Sequence, residues 1–139
     1  MLVTVDLSVA AAWLLPDEAS PGTDDFLTAA LTGQLRLQAP GLWAWEAGNL
    51  LRMATLRKRL LRRDWGVAMR TLDEAAVRLE PMPDMERFAQ TLALALDTGL
   101  TFYDASYLEQ ARRTRASLAS KDAALLRAAK KAGVTCLTL

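Results

Sequence analysis

Short apolar, β-rich runs alternate with longer stretches of helical periodicity along all 139 residues, and this alternation is the strongest constraint on the fold. Parallel strands need crossover connections, which helices supply, so the pattern predicts a parallel sheet covered on both faces. Leu2-Val3-Thr4-Val5-Asp6 is the first run. Ser8 then caps a helix through Leu15, stopped by Pro16. A polar loop from Asp17 to Thr23 leads into a helix opened by Thr23, Asp24 and Asp25, ending near Gly33. Leu35-Arg36-Leu37-Gln38-Ala39 alternates as a second strand, closed by Pro40-Gly41. The spacing next predicts helices over 42–61 and 64–76, a third strand Val77–Glu80, and a helix over 84–98 stopped by Gly99. A helix from Asp104 to Arg113, a strand Ala116–Ala119, a helix Asp122–Ala132 and a strand Val134–Leu139 complete the chain. With no internal repeat and no linker, the expectation is a single three-layer α/β domain over residues 1–139.

Four acidic residues do not fit a plain core. Asp6 ends a buried-strand pattern, while Glu46, Asp104 and Asp122 lie on, or at the start of, apolar helical stripes. Glu46 has Trp43 and Leu50 at helical neighbour positions, and Asp104 shares a face with Tyr107, Leu108 and Ala111, so both carboxylates should point inward. Asn49, at i+3 from Glu46, is placed to hold that carboxylate or contact a ligand. Buried carboxylates pair with a cation, bind a metal or become protonated. The chain has no histidine and one cysteine, so an oxygen-only site for Mg²⁺ or Mn²⁺ is the economical solution. Two carboxylates about 5 Å apart repel by roughly 3 kcal/mol at an effective dielectric of about 20, a cost that a divalent ion reverses. Each acid also has an ordinary alternative: Asp6, Asp104 or Asp122 as a helix cap, Glu46 in a salt bridge. In open α/β sheets, sites form beyond the carboxyl ends of the strands, which is where Asp6 and Asp122 fall. The two converge if strands one and four are neighbours.

Composition closes off other classes. Seventeen basic and sixteen acidic residues give a net +1, so steering of a charged partner must be local. Cys136 alone builds neither a disulfide nor a zinc cluster and reads as a packing residue. No basic n-region precedes the first apolar run and no run is long enough to span a membrane, so a cytoplasmic protein is expected.

Val5-Asp6-Leu7-Ser8, Trp45-Glu46-Ala47-Gly48-Asn49-Leu50-Leu51, Phe102-Tyr103-Asp104-Ala105-Ser106-Tyr107 and Leu118-Ala119-Ser120-Lys121-Asp122 resemble the acidic motifs of PIN-domain nucleases. In length and motif order the chain most resembles the VapC-type ribonuclease toxins of toxin–antitoxin pairs. That resemblance implies a five-stranded parallel sheet in the order 3-2-1-4-5 and Mg²⁺- or Mn²⁺-dependent endonucleolytic cleavage of RNA. It implies Asp6, Glu46, Asp104 and Asp122 as the catalytic and metal-binding acids, with Ser8, Asn49 and Ser120 in support. A cognate antitoxin covering the site, and a homodimer, are implied as well.

For the RNA backbone, the candidates are Arg57, Lys58, Arg59, Arg62 and Arg63, with a second group at Arg112, Arg113 and Arg115. Trp13, Trp43, Trp45 and Trp65 read as core or interface residues before base-stacking ones. The stripe Trp43, Leu50 and Met53 is a candidate contact with an antitoxin or a second copy. The alternatives are a noncatalytic phosphate-responsive module resembling a response-regulator receiver, and a degenerate nuclease that only binds. The receiver class wants a phospho-acceptor Asp after strand three, where this chain has Glu80-Pro81-Met82-Pro83.

Overall fold

The computed structural model describes residues 1–139. Strands β1 (Leu2–Val5), β2 (Arg36–Pro40), β3 (Arg78–Glu80), β4 (Ser117–Ala119) and β5 (Cys136–Leu137) form one parallel sheet in the order β3-β2-β1-β4-β5. Helices α1 (Leu7–Leu14), α2 (Pro21–Leu31), α3 (Leu42–Leu56), α4 (Trp65–Glu74), α5 (Met85–Thr98), α6 (Phe102–Thr114) and α7 (Ala123–Lys131) make the crossovers. The expected fold class and strand order both hold. The receiver alternative does not, because a flavodoxin-like domain orders its strands 2-1-3-4-5.

Central β1 reads as a continuous apolar run because both its faces are covered. Val3 and Val5 pack with Val9, Phe26 and Leu37 in one cluster. On the other side Leu118, Tyr107, Leu108 and Leu125 form the larger cluster with Trp43 and Ala47. A third cluster, Leu14, Leu15, Ala54, Leu60 and Ala68, joins α1, α3 and α4 away from the sheet. Trp43, Leu50 and Met53 are therefore not an exposed contact stripe: Trp43 is core, and Leu50 packs against the third cluster.

Several boundaries differ from the expected ones for local reasons. Asp6, not Ser8, is the N-cap of α1, and Ser20 caps α2 in a reciprocal pair with Thr23. The loop before α2 holds a 3₁₀ turn over Pro16–Glu18. The largest difference is α3, which ends at Leu56 instead of Leu61. Lys58 takes a left-handed φ of 58°, and the amides of Lys58 and Arg59 turn back onto the carbonyls of Thr55 and Ala54. This is a Schellman stop with lysine where glycine is usual. The basic run thus occupies a turn and a 3₁₀ segment, Arg62–Asp64, not a helix face. Helix α6 begins at Phe102 with Thr101 as its cap, which places Asp104 inside the first turn. The fifth strand shrinks to Cys136–Leu137.

Gly41, between β2 and α3, is a close-approach position: a Cβ there would meet the carbonyl oxygen of Glu80 at 2.7 Å. That contact locks the β2–α3 turn against the end of β3. Gly41→Ala is expected to destabilise the protein by about 1–3 kcal/mol, the usual cost of forcing an extra methyl into packed surroundings. Urea unfolding of the two proteins measures it; equal midpoints would show that the turn has slack.

Candidate functional site

The β1–β4 register sets the geometry. Val5 pairs with Ala119, so the next residues, Asp6 and Ser120, emerge side by side at the carboxyl edge of the sheet. The amide of Asp6 donates to the carbonyl of Ala119 at 3.1 Å, extending the ladder by one bond. The Ser120 hydroxyl donates to Asp6 Oδ2 at 2.6 Å, while the Ser8 hydroxyl and amide both donate to Oδ1. Ser8 Oγ in turn accepts from the Lys121 amide at 2.7 Å, and Ser120 Oγ from the Asp122 amide at 2.9 Å. Asp6 is 6% exposed. Burial pushes its carboxyl above the ordinary range, and the serine and backbone hydrogen bonds only partly oppose this.

Glu46, on the second turn of α3, is half-buried and accepts from the Tyr107 hydroxyl at 2.6 Å. Its carboxyl is raised by burial, opposed by the Tyr107 bond and reinforced by the charges of Asp6 and Asp104. Asp104 is raised by burial, opposed by Thr101 and reinforced by the charge of Asp122. The charges of Asp6 and Asp104 thus act on Glu46, and that of Asp122 acts on Asp104. The Tyr107 phenol, raised by burial first and then by its bond to Glu46, also feels Asp6, Glu46 and Asp104. Asp122 is exposed at the start of α7, and its Oδ1 accepts from the Leu125 amide at 2.7 Å. Asp6 and Asp122 are both helix caps, the ordinary alternative for each, and capping leaves their carboxylates at the carboxyl edge of the sheet.

The ordinary alternatives for the other two acids fail. Asp104 is not a cap, and Glu46 has no arginine partner. Every salt bridge in the protein involves Asp17, Glu18, Glu80 or Glu109. None of the four crevice acids has a cation. Asn49 is exposed and makes no hydrogen bond to Glu46, so of its two expected roles it does not hold that carboxylate, and its side chain is open to solvent. Tyr107 takes that role instead. Its signal in the sequence was a phenol on the apolar face three residues beyond Asp104.

The chemistry of this donor set, all oxygen and without a protein cation in its salt bridges, is that of a hard divalent cation site. No three of the acids stand close enough to form a closed coordination group by themselves.

The basic candidates divide. Arg59 is held by Asp17 and Glu18 at 2.9 and 2.8 Å, and Arg113 by Glu80 and Glu109, both at 2.7 Å. Arg62 covers the Trp65 ring at 5.3 Å. Arg57, Lys58, Arg63, Arg112 and Arg115 are exposed and make no salt bridge. Of the tryptophans, Trp43 is buried, Trp13 stacks on Phe26, and Trp65 donates to Thr55. Trp45 is 84% exposed and belongs to no core.

A 3-2-1-4-5 sheet with unpaired acids converging where β1 and β4 end defines the class: an acidic-crevice α/β protein with the PIN-domain architecture. The comparisons agree. No protein-family model matches the chain. Exonuclease VapC9 of Pyrobaculum aerophilum is 36% identical over 91 residues, 66% of this chain, and the chain spans 65% of that relative's length. The crystal structure of PAE2754 from Pyrobaculum aerophilum superposes with a TM-score of 0.69 at 27% identity, covering 98% of this chain and 92% of that one. FitAcB from Neisseria gonorrhoeae shares the fold at a TM-score of 0.58 and 16% identity, over 98% and 96% of the two chains. The chain thus shares its fold with these two structures and is similar to a VapC-type protein over 66% of its own length.

Because Asp6 is raised above its ordinary 3.8, the native state binds that proton more tightly than the unfolded chain does. Its contribution to stability is full below that value and is lost as pH rises through the raised one. Asp6→Asn keeps an oxygen for the cap and removes the buried charge. In EDTA it is expected to be more stable than wild type near about pH 7.5 and to lose that advantage near about pH 4. Denaturant titrations at the two pH values read the crossover. An asparagine variant weaker at both would mean that the charge itself holds the crevice together.

Proposed function

We propose that this chain is a metal-dependent endoribonuclease, the toxin of a toxin–antitoxin pair, acting as a single PIN-like domain in the cytoplasm. The observation that carries the reading is the set of four carboxylates, Asp6, Glu46, Asp104 and Asp122, linked electrostatically at one crevice with no protein cation among their partners. Kinship with VapC-type proteins supports the same reading.

In this mechanism Asp6, Asp104 and Asp122 would hold Mg²⁺ or Mn²⁺ directly or through waters, with Glu46 as a further ligand or as the group that orients the nucleophile. The bound ion would lower the pKa of water and stabilise charge on phosphate oxygens. Ser8 and Ser120 fix both oxygens of Asp6, so that carboxylate presents itself without rotating. Tyr107 engages Glu46 Oε1 and leaves Oε2 to accept a proton from attacking water. With no histidine in the chain, no imidazole pair exists to cyclise the RNA through its 2′-hydroxyl. Arg57, Lys58, Arg62 and Arg63 lie in the turn after α3. Arg59 ties this turn to Glu18, whose carbonyl accepts from Lys121 Nζ at 3.5 Å, beside the crevice. This supports a path for the RNA backbone from the basic turn to the acids, with Arg59 as its structural anchor.

Cleavage products are expected to carry 5′-phosphate and 3′-hydroxyl ends, and Asp6→Ala is expected to lower the rate about 100-fold or more. Mapping ends in total RNA after brief expression of both proteins tests this; cyclic 2′,3′-phosphate ends formed in EDTA would refute it. The relative VapC9 bears the name exonuclease, so a circular RNA belongs in the assay. An endonuclease opens the circle, whereas an exonuclease leaves it intact.

The homodimer implied by the family is better served by α5 than by α3. Met85, Phe88, Leu92 and Leu96 lie on one side of α5 and are between 40% and 78% exposed. An apolar stripe of this kind on a water-facing helix fits a second copy. Leu92→Glu combined with Leu96→Glu is expected to halve the mass seen by light scattering, and an unchanged mass would move the interface elsewhere. The same measurement with the product of the neighbouring gene tests for the antitoxin.

A further inference from the structure

Both half-buried acids of the crevice are preceded by an exposed aromatic residue. Trp45 precedes Glu46 on α3, and Tyr103 precedes Asp104 on α6; they are 84% and 64% exposed. The two rings come from helices joined by long stretches of chain, yet both line one cleft of about 490 Å³, within the size range of small-molecule sites. Pro40, Pro81, Met82 and Phe102 supply further apolar wall. Phe102 is itself backed by Phe88, ring centroids 4.9 Å apart.

The cleft also has a fixed polar edge. Arg87 donates to the carbonyl of Met82 at 3.2 Å and is paired with Glu80 at 3.5 Å, which pins the Pro81–Pro83 turn. Arg87, Glu80 and Glu109 line this edge of the cleft, so its polar wall carries both donors and acceptors. Aromatic faces beside a cationic hydrogen-bonding group, next to a phosphate-cleaving crevice, suit one ligand chemistry above others: an unstacked nucleobase.

We propose that the cleft between Trp45, Tyr103 and the Pro81–Pro83 turn seats a nucleobase of the substrate RNA adjoining the scissile phosphate. The proposal rests on the ribonuclease reading and adds to it a base-recognition site. Trp45 and Tyr103 stack on the base, and Arg87 and Glu80 present the polar groups that face its edge. A base held there fixes where along a single strand the acids act.

The site is tested by two readouts that fail independently. In the first, the four ribonucleosides are titrated one at a time into the full chain, and tryptophan fluorescence is compared with that of Trp45→Leu. Saturable quenching that disappears in Trp45→Leu is expected for at least one nucleoside; a flat response to all four overturns the base site. In the second, cleavage kinetics are measured on an unstructured RNA and on the same RNA with single abasic positions. Trp45→Leu and Tyr103→Ala are each expected to raise KM about tenfold on the intact RNA, the scale of losing one base–aromatic stack. Neither should change it on RNA abasic at the seated position. Equal effects on both substrates would overturn the site while leaving the nuclease intact. Quenching without any RNA cleavage would keep the base site and remove the nuclease reading. If Trp45→Leu instead changes the mass in light scattering and nucleosides give no response, the cleft belongs to a protein contact and the proposal falls. Because Trp45 is outside every core cluster, unchanged circular dichroism is expected for its variant.

Discussion

A carboxylate kept in the protein interior by hydroxyls and amides, with no cation beside it, governs this molecule. Asp6 follows β1 directly and is locked to β4 through the Ala119 carbonyl and the Ser120 hydroxyl. Hydrogen bonds satisfy its oxygens but do not cancel its charge, and burial makes that charge costly. Everything near it is arranged around the same unpaid deficit. Glu46 and Asp104 approach from α3 and α6, and Asp122 arrives with the turn that Ser8 and Ser120 organise. A parallel sheet with β1 in the middle is what brings chain segments more than a hundred residues apart to one edge.

The strand–helix alternation and the four acids were legible from residues alone, because both are written in local pattern. Asp6 could be singled out since a charge closing a buried strand has few placements. Tertiary partners were not legible. Tyr107 contacts Glu46 across 61 positions, and nothing in its neighbours announces that bond. The end of α3 was hidden for a different reason. Leu60 and Leu61 prolong the helical rhythm, while the stop is made by Lys58 in a conformation normally left to glycine. Asn49 shows the converse, since helical spacing to Glu46 does not by itself produce a contact between the two side chains. Asp6 and Asp122 are the N-caps of α1 and α7, and a cap engages one carboxylate oxygen of each without pairing its charge with a cation.

The surface divides its labour in a way composition hides. Net charge is near neutral, yet cations cluster after α3 and at the end of α6, where some serve structure and others face solvent. Arg59 and Arg113 are the structural ones, each held by two acids. Exposed apolar side chains are equally uneven: α5 carries a stripe, and Trp45 and Tyr103 flank a cleft beside the acids. Such concentrations distinguish contact surfaces from the scattered apolar exposure that any monomer shows.

The double duty of Asp6 and Asp122 shapes how this protein can decay over generations. Each carboxylate terminates a helix as well as lying at the carboxyl edge of the sheet, so substitutions that remove the capping oxygen weaken folding, whereas asparagine keeps it. Glu46 and Asp104 hold no such second post. Sequences drifting from this one should therefore lose those two acids first and keep an oxygen-bearing side chain at the capping pair.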